Sequence, residues 1–257
     1  MAYVFIPIFT LLVAGLTLFS GFGVGTLLLP AFALFFPVEA AIAMTAIVHF
    51  LNNLFKLALL GRWADWRVAM RFGLPAIVAA LVGAGMLVLL SQQPPLATYQ
   101  LGQREFAIMP VKFVVAVVML AFALIEVLPR GQRLQFEPRY LPIGGVISGF
   151  FGGLSGHQGA MRAAFLIRCG LSKEAFIATG VVIACLVDVT RLSVYATHWR
   201  TAGFGDNNTL LILATLSAFV GTFVGNRLLS KTTLKTVQVV VSVMLALVAL
   251  ALGAGWI

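Results

Sequence analysis

EAAIAMTAIVHFLNNLFKL at residues 39–57 returns 135 residues later as EAFIATGVVIACLVDVTRL at residues 174–192. Both copies begin with Glu-Ala and are mostly apolar. Each carries a polar residue and a base near its end, Asn53 and Lys56 in the first copy and Asp188 and Arg191 in the second. A self-similar helix at a fixed offset, with polar residues inside an apolar segment, is typical of a membrane transporter built from two repeats.

The composition of the whole chain also indicates a membrane protein. Of its 257 residues, 61% are hydrophobic and only 10% are charged, which excludes an ordinary soluble domain. The net charge of +9 comes from bases spread singly between apolar segments. This spacing is typical of charge-controlled membrane orientation and not of a nucleic-acid surface. We therefore expect the lipid bilayer as a partner, and no nucleic acid.

Eight apolar segments lie near 3–36, 38–61, 70–91, 111–128, 141–170, 174–197, 207–229 and 235–257. Six of them have the length of a membrane-spanning helix, whereas the first and fifth run for roughly 30 residues, about 45 Å as one helix. Glycines interrupt both long segments, Gly21-Phe-Gly-Val-Gly25 in the first and Gly149 to Gly159 in the fifth. Broken segments at matching places in two halves mark a binding site in secondary transporters.

The predicted fold is therefore an all-α polytopic membrane protein with a single domain over residues 1–257. Repeat one covers residues 1–128 and repeat two residues 141–257, each with about four hydrophobic segments, the first of them broken or re-entrant. A long tilted helix with a kinked middle is the alternative for these two segments.

The basic residues of the loops predict how the fifth segment crosses the membrane. If all eight segments cross, the loops carry seven Lys and Arg on each side. If segment five enters and leaves by the same side, the division becomes eleven against three. The second division satisfies the positive-inside rule. Segment one resembles segment five, so we expect it to re-enter as well, which makes the two halves inverted. This topology predicts cytoplasmic loops at 62–71, 130–139 and 227–235, and an extracytoplasmic C-terminus.

The repeated helices carry polar side chains inside apolar segments, where such groups are unfavourable unless they face protein or water. Helical spacing puts His49, Asn53 and Lys56 on one face of the first copy. Ionisable groups in a membrane segment cost a few kcal/mol unless they face protein or water. A pair of facing cations, Lys56 and Arg191, would suit an anion. Alternatively, Asp188 and Arg191 neutralise each other within their helix.

The glycine interruptions predict the second part of such a site. A helix that restarts after a break presents free backbone N–H groups and the positive end of its dipole, and both favour anions. Close packing of helices is the alternative explanation of these glycines. The predicted substrate-binding residues are Ser20, Gly21, Gly23, Gly25, His49, Asn53, Lys56, Ser155, Gly156, His157, Gln158, Gly159, Arg162, Asp188 and Arg191.

Other chemistries find no support in the sequence. The Gly21-x-Gly23-x-Gly25 run follows no strand pattern, there is no Walker sequence, and the three histidines have no metal-ligand spacing. No nucleophile with a base at a defined spacing points to an enzyme. We expect no enzymatic activity, no metal and no cofactor. Homo-oligomerisation has no support in the sequence.

Several of these features resemble the TauE/SafE sulfite exporter family. They are the Gly-rich break followed by Pro30, the Glu39-Ala40 helix, the second Gly-rich break near 145–159, and the Asn- or Asp-containing helix beside each break. The resemblance covers nearly the whole chain and implies a bacterial inner-membrane transporter of sulfite, sulfonates or related small anions. The chain departs from the family's three consecutive glycines, with Gly-Val-Gly in the first break and Gly-His-Gln-Gly in the second.

The resulting functional hypothesis is a secondary transporter of small anions that works by alternating access. His49, His157 and Asp188 are candidate proton carriers for proton coupling. A passive anion channel is the nearest alternative, and a cation or metal transporter is a more distant one.

Overall fold

The computed structural model describes residues 1–17, 24–128, 131, 134–199, 207–228 and 234–257. The helices are α1 Ala2–Thr17, α2 Val24–Ala33, α3 Val38–Leu60, α4 Trp66–Ser91, α5 Pro110–Val127, α6 Leu141–Ser155, α7 Gly159–Leu166, α8 Lys173–Trp199, α9 Asn208–Leu228 and α10 Leu234–Gly253. Single 3₁₀ turns cover Gly61–Trp63 and Pro138–Tyr140. Within these ranges, four helices are long and apolar enough to cross a membrane, namely α3, α4, α8 and α9. The prediction of a helical membrane protein is confirmed at this level.

The two copies of the repeated helix, α3 and α8, pack against each other at the centre of the molecule. Their apolar windows are 56% and 67% buried, against 39% and 44% for α4 and α9. This burial explains why polar side chains are tolerated in α3 and α8, because these residues face protein and not lipid.

A short β-hairpin departs from the all-α prediction. Strands β1 Ala97–Leu101 and β2 Arg104–Ile108 pair antiparallel around a two-residue turn. The Tyr99 hydroxyl donates to the Ala254 carbonyl oxygen over 2.7 Å, and Lys112 Nζ donates to the Ile257 carbonyl oxygen over 3.0 Å. The β-hairpin and the C-terminal residues therefore lie together at one end of the molecule.

The fifth apolar segment is a helical hairpin and not a kinked helix. Phe136, which precedes α6, donates its N–H to the carbonyl oxygen of Ala164 near the end of α7, over 3.1 Å. Nearer the turn, Ser148 Oγ donates to the Gln158 carbonyl oxygen over 3.1 Å. Because both ends of the segment meet in this way, α7 runs back along α6. We call this pair the second hairpin and residues 156–158 its tip.

The first apolar segment also folds back on itself. The rings of Phe5, in the first turns of α1, and Phe35, just after α2, lie 5.8 Å apart between centroids. Helices α1 and α2 therefore form a first hairpin. The predicted site residues Ser20, Gly21 and Gly23, between these two helices in the chain, lie outside the described residues.

Most glycines of the second break pack helices together, which corrects the predicted extent of the break. Helix α6 remains helical through Ser155, and the turn contains only Gly156, His157 and Gln158. A Cβ atom at Gly149 would overlap the carbonyl oxygen of Ala76, and one at Gly153 that of Ala80, both in α4. Small residues four apart allow two helix backbones to approach closely, so sequence alone could not separate packing from breaking.

The same kind of contact joins the first hairpin to α9. Cβ atoms at Gly221 and Gly225 would overlap the carbonyl oxygens of Leu11 and Gly15 in α1. Each hairpin thus packs most closely against a helix from the other half of the chain, α1 against α9 and α6 against α4.

Gly149→Ala is expected to lower the free energy of unfolding by about 1–3 kcal/mol, because the added methyl group overpacks the contact between α4 and α6. Gly85→Ala is the matched control in α4, since a Cβ atom there meets no atom within 4 Å. It should leave stability unchanged or raise it slightly. Thermal denaturation of both variants in detergent measures the difference, and equal midpoints would contradict the packing role of Gly149.

Candidate functional site

The Asp188 carboxylate is the centre of a buried polar cluster between α3, α8 and the tip of the second hairpin. Its Oδ1 atom accepts hydrogen bonds from Arg191 Nε at 3.0 Å and from Arg191 Nη2 at 2.7 Å. His49 Nδ1 lies 2.7 Å from Asp188 Oδ2. The side chains of Asp188 and Arg191 are 0% exposed, so this ion pair is formed away from solvent.

Two amide side chains complete the contacts of this carboxylate. Asn53 Nδ2 donates to Asp188 Oδ2 over 3.3 Å, and Gln158 Nε2 donates to Asp188 Oδ1 over 3.4 Å. The Asp188 carboxylate can only accept, so we assign the hydrogen of neutral His49 to Nδ1. His49 Nε2 is then the acceptor for Asn53 Nδ2 at 3.2 Å. The cluster therefore joins both halves of the chain at one carboxylate.

The cluster contains more positive than negative charge. Lys56, Arg162 and Arg191 are all buried, with at most 8% of their surface exposed, and Asp188 is the one buried carboxylate among the described side chains. With His49 neutral, three cations minus one anion leave two positive charges. Isolated charges are costly in a buried site, and such an excess favours the binding of an anion.

Two of these cations have no carboxylate partner in the described part of the chain. Arg162 Nη1 donates to Gln158 Oε1 over 3.3 Å, a neutral partner, and Lys56 lies close enough to Arg162 for their like charges to interact. Like charges held close together in a buried site repel each other, and a bound anion would relieve that repulsion.

Arg191 is only partly satisfied by Asp188. Its Nη1 atom is buried and has no hydrogen-bond partner among the residues that the structure describes. This atom faces the tip of the second hairpin, where a Cβ atom added at Gly156 would lie 2.7 Å from it. Gly156 also has a φ of +84°, a conformation that favours glycine. The tip therefore needs glycine at position 156 for both space and backbone geometry.

The first turn of α7 adds backbone donors next to these cations. The N–H groups of Gly159, Ala160 and Met161 donate to no acceptor in the described ranges. Such groups at a helix N-terminus, with the positive end of the helix dipole, bind anions. Arg162 follows in the same turn, so guanidinium and backbone N–H groups come from one short segment.

The structure brings seven of the predicted residues into this cluster. They are His49, Asn53, Lys56, Gln158, Arg162, Asp188 and Arg191. Gly156 lies in the tip and Gly159 begins α7 just after it. Gly25, inside α2, lies so close to the His49 ring that a Cβ atom added there would be 3.3 Å from it. Ser155 lies at the last turn of α6, and its Oγ is 3.0 Å from His157 Nδ1.

The geometry of Asp188 and Arg191 is consistent with both sequence-based interpretations of this pair. The two side chains do pair within their helix, as the alternative explanation predicted. The Nη1 atom of Arg191 nevertheless has no hydrogen-bond partner in the described region. In the same described ranges, no three His, Cys, Asp or Glu side chains form a group that could hold a metal ion.

Three residues that support the tip were not among the predicted site residues. The Tyr195 hydroxyl donates to the Gly153 carbonyl oxygen, Ser148 holds the Gln158 carbonyl, and the Phe122 ring stacks on His157 with centroids 5.5 Å apart. Tyr195 follows Arg191 by four residues, so helical spacing could have identified it. Ser148 and Phe122 act across elements, and no local pattern specifies such contacts.

Comparison with known proteins identifies the family. No curated protein matches the chain. The model of the family described as Sulfite exporter TauE/SafE matches residues 6–252, which is nearly the whole chain and includes every element of the cluster. With four helices that can cross a membrane, the chain is an integral membrane protein, and it belongs to the sulfite exporter TauE/SafE family.

Proposed function

We propose that this protein is a secondary transporter that moves small anions across the bacterial inner membrane by alternating access. The observation that carries the proposal is the excess of buried positive charge. Lys56, Arg162 and Arg191 are all buried, only Arg191 pairs with a carboxylate within the described residues, and the free N–H groups of α7 follow the tip beside them. The substrate would bind at the tip of the second hairpin, against α3 and α8.

Sulfite, a sulfonate or a related oxyanion fits this donor set best. Guanidinium N–H groups and backbone N–H groups at a helix start form charge-assisted hydrogen bonds to the oxygens of such anions. Asn53, Gln158 and Ser155 would supply neutral hydrogen bonds around them. The family description points to the same class of substrate.

The packing of the helices supports inverted repeats and alternating access. One hairpin precedes three longer helices in each half, and the contacts between halves come in matching pairs, α1 with α9 and α6 with α4. Such an arrangement allows one body to rock against the other around a central site. The burial of the whole cluster supports a closed state that opens to one side at a time.

Uptake into sealed proteoliposomes tests the proposal and separates it from a passive anion channel. With an imposed proton gradient, a coupled transporter accumulates labelled sulfite above its outside concentration, whereas a channel only equilibrates it. If sulfite and sulfonates neither accumulate nor equilibrate across the membrane, the anion proposal is contradicted. A cation transporter is disfavoured by the two positive charges left over in the cluster.

Proton coupling is part of the proposal, with His49, His157 and Asp188 as candidate carriers. His49 and Asp188 share a hydrogen bond of 2.7 Å, so a proton gained by either group changes the charge next to the anion site. Substrate-dependent pH change inside liposomes, recorded with a trapped dye, measures this coupling.

The positions of the loops support the predicted orientation. Asp65 N donates to Thr179 Oγ1 over 2.9 Å at the start of α4, and the β-hairpin and C-terminus lie beyond the other end of α4. Basic residues concentrate near the first of these ends, among them Arg62, Arg67, Arg71, Arg139, Arg168 and Lys173. We place that end in the cytoplasm and the C-terminus outside it.

Alkaline phosphatase fused after Ile257 is therefore expected to be active, because this enzyme folds only outside the cytoplasm. A green fluorescent protein fused at the same residue should stay dark. The opposite pattern would reverse the proposed orientation.

A further inference from the structure

The tip of the second hairpin contains a buried histidine with one ring nitrogen unused. His157 is 1% exposed, and its Nε2 atom has no hydrogen-bond partner within the described part of the chain. The ring is held in place by stacking on Phe122, with centroids 5.5 Å apart. Buried polar atoms without a partner are rare in folded proteins, and each calls for a ligand or an ordered water.

The contacts of the other ring nitrogen show where the hydrogen of neutral His157 lies. Ser155 Oγ donates to the Phe151 carbonyl oxygen over 3.2 Å, so its lone pairs face His157 Nδ1 at 3.0 Å. Nδ1 therefore carries the hydrogen and donates it, and the unpartnered Nε2 is an acceptor.

The residues on either side of His157 in the chain lie beside hydrogen-bond donors. Gly156, just before it, faces the unpartnered Nη1 of Arg191. Gln158, just after it, bonds to both Asp188 and Arg162. The free N–H groups of α7 begin one residue later. An anion without hydrogen would satisfy the donors but would turn a lone pair toward His157 Nε2. An anion with one O–H group would satisfy both.

Resting on the proposed anion transport, we infer that the preferred substrate is a singly charged oxyanion that carries an O–H group and donates it to His157 Nε2. Hydrogensulfite belongs to this class, and so does a phosphonate with one proton. His157 is then a specificity-determining residue. Arg162 and Arg191 provide affinity for any anion, and His157 distinguishes the protonated one.

Two probes of the same shape and charge test this role. The methylphosphonate monoanion and methanesulfonate are both tetrahedral with a charge of minus one, and only the phosphonate has an O–H group. Their binding to the purified full-length protein is measured by calorimetry at a mildly acidic pH, where the phosphonate keeps one proton. The protein is expected to bind the phosphonate about 10-fold more tightly, because methanesulfonate leaves the buried acceptor unsatisfied.

His157→Phe is expected to abolish this preference, since a phenyl ring still stacks on Phe122 but accepts no hydrogen bond. Arg162→Gln is the control, and it should weaken both probes by a similar factor. Equal affinity of the two probes for the wild-type protein would overturn the inference, and this measurement needs no variant to fold. An unchanged ratio in His157→Phe would overturn it too. If the wild-type protein binds neither probe, the anion site itself is contradicted.

Discussion

Asp188→Asn is expected to lower the melting temperature of the purified protein by about 6–20 °C. The substitution removes the negative charge that Arg191 meets through two hydrogen bonds and that His49 contacts from α3. Removing one partner of a buried ion pair costs about 3–5 kcal/mol, because the other charge stays buried without compensation. For a chain of this size, 1 kcal/mol corresponds to about 2–4 °C.

The double variant Asp188→Asn/Arg191→Gln is the control for this prediction. It removes both charges, so it should regain a large part of the lost stability while still failing to transport. The melting curves of the two variants in detergent, without anion, provide the measurement. An unchanged melting temperature in the single variant would show that the ion pair is not a stabilising element.

Arg162→Gln is expected to reduce the initial rate of anion uptake by about 10- to 150-fold at low substrate concentration. The reason is the loss of a charge-assisted hydrogen bond to the substrate, which contributes about 1.5–3 kcal/mol. Arg162 has a neutral partner, Gln158, in the described region, so its loss breaks no ion pair there. The variant should therefore insert and fold at normal levels.

The matched control is Arg168→Gln, which removes a guanidinium just after α7 and outside the cluster. Within the described ranges, Arg168 Nε donates to the exposed side chain of Gln135 and to no cluster residue. Its uptake rate should equal that of the wild-type protein. If Arg162→Gln transports sulfite and sulfonates normally, the cationic part of the site is wrong even though the residue is buried.

Much of the site follows from the sequence because its residues lie on regular helices. His49 and Asn53 are four residues apart, Asp188 and Arg191 three apart, and the fixed offset of 135 residues relates the two helices. Helical periodicity puts each pair on one face, and the cost of polar groups in lipid turns these faces inward. The direct contact between the copies through Asp188 then follows from packing of α3 on α8.

The different roles of the glycines in the second break could not be predicted from the sequence. Gly149, Gly153 and Gly156 look alike in the sequence, yet the first two pack α6 against α4 and the third ends the helix with a positive φ. The distinction depends on which helix lies opposite, and α4 is a distant part of the chain. The β-hairpin was missed for a related reason, since two five-residue strands are stabilised here by contacts with the C-terminal residues.

Because α1 packs against α9, a helix from the other half of the chain, its native contacts form late in synthesis. Helix α1 leaves the ribosome first, yet the glycine face that receives it begins at Gly221, 210 residues after Leu11. At about 5–20 residues per second, the first hairpin waits about 10–40 s for α9. During that time its contact surface faces lipid or the insertion machinery. A nascent chain halted before Gly221 therefore cannot complete the native packing of α1, although the contact of α1 with α2 can already form.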